Sequence, residues 1–362
     1  MKRIFYMMHV PWGWIKQRPH FLAEGLASYF KVMVYYDKPD KQLISQHVSN
    51  RSHLSLRTFP CLKIKIPAVQ KSIGLLNYYL KKITSIYQTL KSDIIWITFP
   101  NQFAHIRHFL PADKTVIYDN MDDALAFYNY NNQLTKLEQE LCQRANVIFC
   151  SSLNLKDKLI ERHQTRPEKI KILNNAITWP IAENKKQLPD SLLTLFSSDL
   201  KNIVYIGTIA TWMNFDMLIQ TLDKVTQLNI ILVGPLESKL KIPDHPRLKH
   251  HGAIEHDLVF PTMQKADALT MPFVINEIIL SVNPVKAYEY IYSGKPVIMV
   301  RYPETEKFAE YSYLYSNNND FLNLCFKLTN NQLSQHKETI CTKTFVSENT
   351  WNNRINEIVK SI

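Results

Sequence analysis

Lys286 and Glu289 stand three residues apart in the run Asn283-Pro284-Val285-Lys286-Ala287-Tyr288-Glu289-Tyr290-Ile291-Tyr292-Ser293-Gly294-Lys295-Pro296-Val297. On a helix that spacing puts an ammonium and a carboxylate on one face. The run carries the punctuation of such a helix. Pro284 suits the first helical position, where its missing N–H costs nothing, and Gly294 suits the left-handed residue that ends a helix. Lys295-Pro296-Val297-Ile298-Met299-Val300 then opens a buried strand. The helix N-terminus is therefore expected near the carboxyl end of a preceding strand, where open α/β sheets bind ligands. Its free backbone N–H groups attract an anion such as a phosphate, and Lys286 adds positive charge. Glu289 can accept hydrogen bonds from a ribose diol. Phosphate donors and a sugar-reading carboxylate on one short helix suggest a nucleotide. An ordinary αβ unit with a solvated lysine and glutamate would show the same residues.

Gly207 and Gly234 each follow an apolar run that reads as a strand, and glycine there permits close approach of a ligand or a tight turn. No GxGxxG and no GxxxxGK[ST] occurs, which counts against a standard dinucleotide site and a P-loop. Near the N-terminus, His9-Val10-Pro11-Trp12-Gly13-Trp14 leads to Gln17-Arg18-Pro19-His20. An aromatic loop at a strand end can stack on a sugar, and Arg18 can meet a phosphate bidentately. Tryptophan and proline in a loop also serve as plain packing. Asp119-Asn120-Met121-Asp122-Asp123 leaves another strand with three carboxylates. These can act as a base, as sugar-hydroxyl acceptors or as metal ligands, and at least one is expected to cap the next helix. Asp119, nearest the sheet, is the stronger functional candidate, with Asp122 beside it. The histidines, among them His9, His20, His105 and His108, form no closely spaced ligand set, and no metal site is expected.

Strands must hold these residues in place. Ile4–Met8, Val32–Tyr36, Ile94–Thr98, Thr115–Tyr118, Val147–Cys150 and Ile170–Leu173 read as strands alternating with helices at about 18–30, 69–91, 102–109, 133–145 and 153–163. The pattern restarts with strands at Ile203–Ile206, Ile230–Val233, Leu248–His250, Ala268–Met271 and Val297–Val300. Helices fall between and after them at about 214–226, 256–264, 285–293 and 319–328. Such alternation predicts two doubly wound, Rossmann-like parallel sheets, and a cleft between two such domains is a default ligand site. The expected division is an N-terminal domain over 1–178, a linker over 179–200 and a C-terminal domain over 201–345. A last helix over 346–362 would pack back toward the first domain. In Val69–Lys91, apolar Ile73, Leu76, Leu80, Ile83 and Tyr87 recur at helical spacing with Lys71, Lys81, Lys82 and Lys91 among them. This stretch can lie on an anionic membrane, but the commoner meaning is a core-facing helix with a lysine-covered outer face.

The 362 residues suffice for two domains, and 46% hydrophobic content with 7 glycines argues for a packed globular chain. Cys61, Cys142, Cys150, Cys325 and Cys341 form no CxxC pair, which suggests a reducing compartment and no zinc site. No signal peptide and no membrane-spanning run is visible, so a cytoplasmic protein, soluble or peripheral on the inner face of the plasma membrane, is expected. Residues 1–178 carry 25 Lys+Arg against 13 Asp+Glu, a balance of +12; residues 179–362 carry 18 against 19, a balance of −1. A basic half suits an anionic surface, membrane or nucleic acid, or is simply a solvated face. No recognised nucleic-acid motif is present.

Taken in order along nearly the whole chain, these motifs resemble bacterial glycosyltransferases of the GT-B fold close to family GT4, above all the teichuronic-acid and other surface-polysaccharide transferases. The resemblance rests on Trp12-Gly13-Trp14…Gln17-Arg18-Pro19, Tyr118–Asp123, Ala145–Ser152 and Leu173-Asn174-Asn175-Ala176. It continues through Tyr205-Ile206-Gly207, Val233-Gly234-Pro235 and Met271-Pro272-Phe273, and is most specific over Asn283–Val297. It implies a nucleotide-sugar donor held by the C-terminal domain and a glycan or lipid-linked glycan acceptor met by the N-terminal domain. Gly207, Thr208, Gly234, Pro272, Ser281 and Val282 would line the donor, with Asn283, Pro284, Lys286 and Glu289. His9, Trp12, Gly13, Trp14, Arg18 and Asp122 would face the acceptor or the cleft. Asp119, Lys286 and Glu289 would carry the chemistry, with retention of anomeric configuration and no cofactor or metal. Glu289 matches the second of the family's two glutamates; the first falls on Ser281. The cations that many relatives place after the Gly207 strand are absent from Thr208–Asn214. Two other readings stand beside this one: a nucleotide-sugar epimerase on the same fold, and a non-catalytic nucleotide-sugar or glycan-binding relative.

Overall fold

The computed structural model describes residues 1–13, 16–38, 52–63, 70–127, 131–178, 186–333 and 339–362. They divide into two units: Met1–Asn174 with Trp351–Ile362, and Asn175–Thr350.

The first unit has strands β1 (Arg3–Met7), β2 (Lys31–Tyr36), β3 (Leu54–Thr58), β4 (Ile94–Ile97), β5 (Thr115–Asn120), β6 (Val147–Cys150) and β7 (Ile170–Ile172). Its helices are α1 (Arg18–Leu26), α2 (Gln70–Leu90), α3 (Ala124–Phe127), α4 (Asn132–Arg144) and α5 (Leu153–His163). The strands form one parallel sheet in the order β3-β2-β1-β4-β5-β6-β7. Every residue of β4 is buried, as an apolar run covered on both faces requires. The order reverses between β1 and β4, so the loops leaving those strands diverge and open a crevice at the sheet's carboxyl edge.

The second unit contains α6 (Asp190–Leu193), β8 (Lys201–Ile206), α7 (Phe215–Lys224), β9 (Leu228–Val233), β10 (Leu248–His251), α8 (Val259–Lys265), β11 (Ala268–Met271) and α9 (Glu277–Ser281). Then come α10 (Val285–Tyr292), β12 (Val297–Val300), β13 (Tyr313–Tyr315), α11 (Asn318–Thr329) and α12 (Thr339–Glu348). Its sheet is also parallel, in the order β10-β9-β8-β11-β12-β13, and reverses between β8 and β11. The last helix, α13 (Trp351–Val359), belongs to the first unit. There Trp351 stacks on Phe21 of α1 at 4.9 Å between ring centroids, and Gly25 leaves room for Ile355, which any Cβ would strike.

Several boundaries differ from the sequence expectation. The units divide at Asn174–Asn175, ahead of 178. The described part of the expected linker belongs to the second unit, because Leu192 of α6 is buried in that unit's core. The edge strands β3 and β13 went unrecognised: they are short and lack the all-buried apolar run of a central strand. A helix at 102–109 is instead a 3₁₀ turn over Pro100–His105. The largest reversal concerns α2. Its buried residues are polar, Ser85, Gln88 and Thr89, while Leu76, Ile83 and Tyr87 point outward and stand exposed. Gln88 lies inward because it accepts from Arg3 and donates to the Tyr35 hydroxyl. The expected core-facing apolar stripe is the outer face.

Candidate functional site

In the second unit the loops leaving β8 and β11 meet at the point where strand order reverses. The Asn214 N–H donates to the Pro272 carbonyl at 2.8 Å, and Met213 pairs antiparallel with Phe273. Gly234 adopts φ +147°, and its missing side chain makes room for the Gly207 carbonyl, so this glycine serves strand packing. Thr208 uses its carbonyl to accept the Tyr205 hydroxyl at 2.8 Å.

The helix α10 sits against this edge through one residue that sequence reasoning overlooked. The Tyr290 hydroxyl accepts the Ile206 N–H at 2.7 Å and lies 3.3 Å from the Ile206 carbonyl, holding α10 to the carboxyl end of β8. Ala287, Tyr288, Tyr290 and Ile291 fill the inward face. Lys286 and Glu289 therefore take the outward phase, with side chains 25% and 13% accessible. They pair directly, Lys286 Nζ to Glu289 Oε2 at 2.6 Å. No side chain caps the helix N-terminus, so its first amides remain suited to an anion. Pro284 is the cap residue, one position before the place expected for it, and Gly294 turns left-handed at φ +73° as expected.

Two proposed donor residues face inward. The Ser281 hydroxyl donates to the Glu277 carbonyl and the residue is 1% exposed, because α9, absent from the sequence reading, places it on an inner face. Asn283 is buried as well. Its Oδ1 accepts the Asn175 N–H at 2.7 Å, its carbonyl accepts Asn175 Nδ2 at 2.7 Å, and its Nδ2 donates to Glu304 at 2.9 Å. Glu304 in turn accepts from Lys307 at 2.7 Å. Asn283 positions the entry to α10 and has no free side-chain group for a ligand. The Val282 carbonyl accepts the Tyr302 hydroxyl at 3.0 Å. Asn175 belongs to a motif of the resemblance, but nothing local shows that it or Glu304 will pair with Asn283, 108 and 21 residues away.

The carboxyl edge of the first sheet departs further from expectation. Arg18 and Asp119 are 1% and 0% exposed. Arg18 Nε and Nη2 both donate to Asp119 Oδ1, at 2.9 and 2.7 Å, and Nη1 donates to the Leu173 carbonyl. Arg18 is thus spent on tying α1 to β5 and to the chain after β7, so it does not meet a phosphate. Asp119 lies within β5, paired in register with Phe149, and cannot reach an acceptor. Trp12 is likewise packed inside, its ring 5.1 Å from that of His20, and offers no sugar-stacking face. Gly13 adopts φ +95°, a turn that favours glycine; Trp14 lies outside the described residues. Asp123 caps α3 through the Ala126 N–H and accepts from Lys158 and Arg162. Burial would push its carboxyl up, but those hydrogen bonds outweigh it and hold it down.

His9 and Asp122 keep partly open positions at this edge. The Thr98 hydroxyl donates to the Met7 carbonyl at 3.0 Å and accepts the His9 N–H at 3.0 Å. With its one proton so used, it can only accept from His9 Nδ1, 2.8 Å away. Nε2 is then the unprotonated nitrogen, able to accept from a hydroxyl. Burial lowers the His9 pKa to about 4 and raises that of Asp122 to about 6. No group of three His, Cys, Asp or Glu among the described residues is placed to hold a metal ion.

Residues 200–328, which contain β8 to α10 and both reversing loops, match the family model described as glycosyl transferases group 1. The second unit carries a group 1 glycosyltransferase domain. Over 288 residues the chain is 25% identical to TuaH of Bacillus subtilis strain 168, whose name assigns it as a glycosyltransferase to teichuronic acid biosynthesis; the match spans 74% of this chain and 70% of that protein. The structure resembles sucrose-phosphate synthase from Thermosynechococcus elongatus, with a TM-score of 0.75, 12% identity and coverage of 99% and 98% of the two chains. It also resembles Anabaena HepE, solved in complex with UDP and glucose, with a TM-score of 0.71, 14% identity and full coverage of both chains. The chain is a glycosyltransferase of the GT-B fold, built from two parallel-sheet α/β units.

Proposed function

We propose that this glycosyltransferase moves a sugar from a nucleotide-sugar donor to a lipid-linked glycan acceptor during synthesis of a bacterial surface polysaccharide, with retention of anomeric configuration. The observation that carries the donor half is α10: an uncapped N-terminus, Lys286 and Glu289 on its outward face, inside the matched glycosyltransferase segment. The likeness to HepE, a protein solved with UDP and glucose, supports a nucleotide-sugar donor. The likeness to TuaH supports the polysaccharide.

In the proposed reaction the bond from the anomeric carbon to the diphosphate breaks, and the diphosphate leaves with the electron pair. The acceptor hydroxyl bonds to the same carbon on the same face, and its proton passes to the departing diphosphate oxygen. Negative charge grows on the leaving group while the sugar becomes oxocarbenium-like, so catalysis depends on donors already aimed at the diphosphate. Donor binding splits the Lys286–Glu289 pair: Lys286 turns to phosphate and Glu289 to the ribose diol. His9 Nε2 and Asp122, both partly exposed at the first sheet's carboxyl edge, are positioned to accept from acceptor hydroxyls. The protein rather than a metal ion supplies the positive charge, so EDTA is expected to leave turnover unchanged.

Incubation with a panel of nucleotide sugars, following nucleoside diphosphate release with and without a glycan acceptor, tests the reading. Release that requires acceptor is expected. An altered sugar without release would instead identify an epimerase, and no turnover with any donor would identify a binding relative.

A further inference from the structure

The helix α2 is amphipathic in the wrong sense for a protein in water. Leu75, Leu76, Tyr79, Ile83, Tyr87 and Leu90 fall within one third of the helix circumference and are 46% to 64% exposed. The opposite side is polar: Ser85 bonds the Lys81 carbonyl, Gln88 bonds Arg3 and Tyr35, and Lys81 pairs with Asp37. Turning six apolar side chains outward while burying polar ones costs stability in water, which marks an interaction surface.

Charge says what covers it. Residues 41–92, which include all of α2, hold nine Lys and Arg and no Asp or Glu. Lys71 and Lys82 border the apolar arc on one side and Lys91 on the other, where long cationic chains reach headgroups while their stems lie on apolar surface. Lys91 lies over the Tyr87 ring at 4.4 Å and Lys82 over Phe109 at 5.5 Å. Beside the helix, a cavity of about 270 Å³ is lined by Tyr78 and Lys82 of α2 together with Arg107, His108 and Lys136. Lys82 and Lys136, with Arg107 that also pairs with Glu140 at 2.8 Å, put cationic donors around one cavity and suit a phosphate. A second copy of the chain fits poorly, because two such faces together would oppose Lys71, Lys82 and Lys91 to themselves.

We propose that α2 seats the protein on an anionic phospholipid bilayer, its apolar row lying at the headgroup–acyl boundary and the adjoining basic cavity receiving a lipid phosphate. This deepens the reading above, resting on it for the lipid-linked acceptor that the bilayer would present. No helix among the described residues is long and apolar enough to cross a membrane, so the contact is with the surface.

The test is sedimentation of the full chain with vesicles of phosphatidylglycerol and phosphatidylcholine, or of phosphatidylcholine alone. Binding should require the anionic lipid and weaken with salt. The triple variant L75S/I83S/Y87S, altered only at exposed positions, should keep its melting temperature and bind about tenfold or more weakly. The pair K82E/K136E should lose the preference for anionic lipid. Equal binding by the triple variant, or no preference for anionic lipid in the unaltered chain, overturns the proposal. So does a dimer in ultracentrifugation that the triple variant dissolves. Nucleoside diphosphate release with a water-soluble acceptor separates the two readings: its absence in the unaltered chain counts against sugar transfer and leaves the membrane result standing.

Discussion

The carboxyl edges of the two sheets carry equally charged sequence motifs and use them oppositely. At the first sheet, Arg18 and Asp119 are 1% and 0% exposed and bond each other inside the unit. At the second, Lys286 and Glu289 form an equally short pair whose side chains remain 25% and 13% accessible. Local geometry makes the difference. Asp119 is still inside the hydrogen-bonded register of β5, and Arg18 opens a helix that turns it toward that strand. Lys286 and Glu289 lie on the outward phase of a helix whose inward phase is filled by Ala287, Tyr288, Tyr290 and Ile291. A charged pair becomes a strut or a binding pair according to whether solvent can reach it.

The contrast breaks most visibly if Arg18 proves dispensable. Arg18→Ala strands a buried carboxylate and should destabilise the first unit by about 3–5 kcal/mol in denaturant unfolding, whereas the double change R18M/D119L should recover much of that loss. Lys286→Ala should cost stability no more than about 0.5 kcal/mol, as a partly exposed pair does. Its effect should fall on donor affinity, weakened about tenfold to a hundredfold in calorimetric titration, the value of one charge-assisted hydrogen bond. Asn283→Ala sits between these cases. It takes one hydrogen bond from the buried Glu304, which keeps Lys307, and the side-chain acceptor from the Asn175 N–H. It should lower stability by about 1–3 kcal/mol, with weaker donor binding following from a loosened α10.

Smaller effects come from protons at the first edge. Burial holds the pKa of His9 at about 4, and His105, which burial lowers most and Lys81 lowers further, also titrates at about 4. Their neutral forms favour the folded state, so this contribution is complete above about pH 6.5 and is lost as pH falls toward 4, by about 1–2 kcal/mol for each ring. Asp122 runs the other way. Burial raises it to about 6, so its contribution is greatest below about pH 4 and disappears as pH rises through 6. Asp122→Asn should therefore be more stable than the parent at pH 8, by about 1 kcal/mol for a partly exposed group, and should show a steeper acid loss in thermal melts.

Much of this was legible in the chain. The apolar runs of β4, β6, β8 and β9 marked strands because both faces are buried, and Gly294 marked the end of α10 because its φ is +73°. The phase of Lys286 and Glu289 followed from helix spacing alone. What escaped depends on partners distant in sequence. Nothing local tells that Arg18 will meet Asp119, 101 residues away, or that Asn283 will be consumed by Asn175 and Glu304. For α2 the period was right and the direction wrong, because a helical pattern does not say which side faces the core. There Gln88 and Ser85 decide, through hydrogen bonds that sequence does not reveal.

The central claim is that the outward pair on α10 holds the donor. Calorimetric titration of a nucleotide-sugar panel into the parent chain, Lys286→Ala and Glu289→Ala tests it most directly. The account predicts saturable binding of at least one donor by the parent, weakened at least about tenfold in both variants while their unfolding transitions stay in place. Unchanged affinity in both folded variants would contradict it and place the donor elsewhere in the second unit.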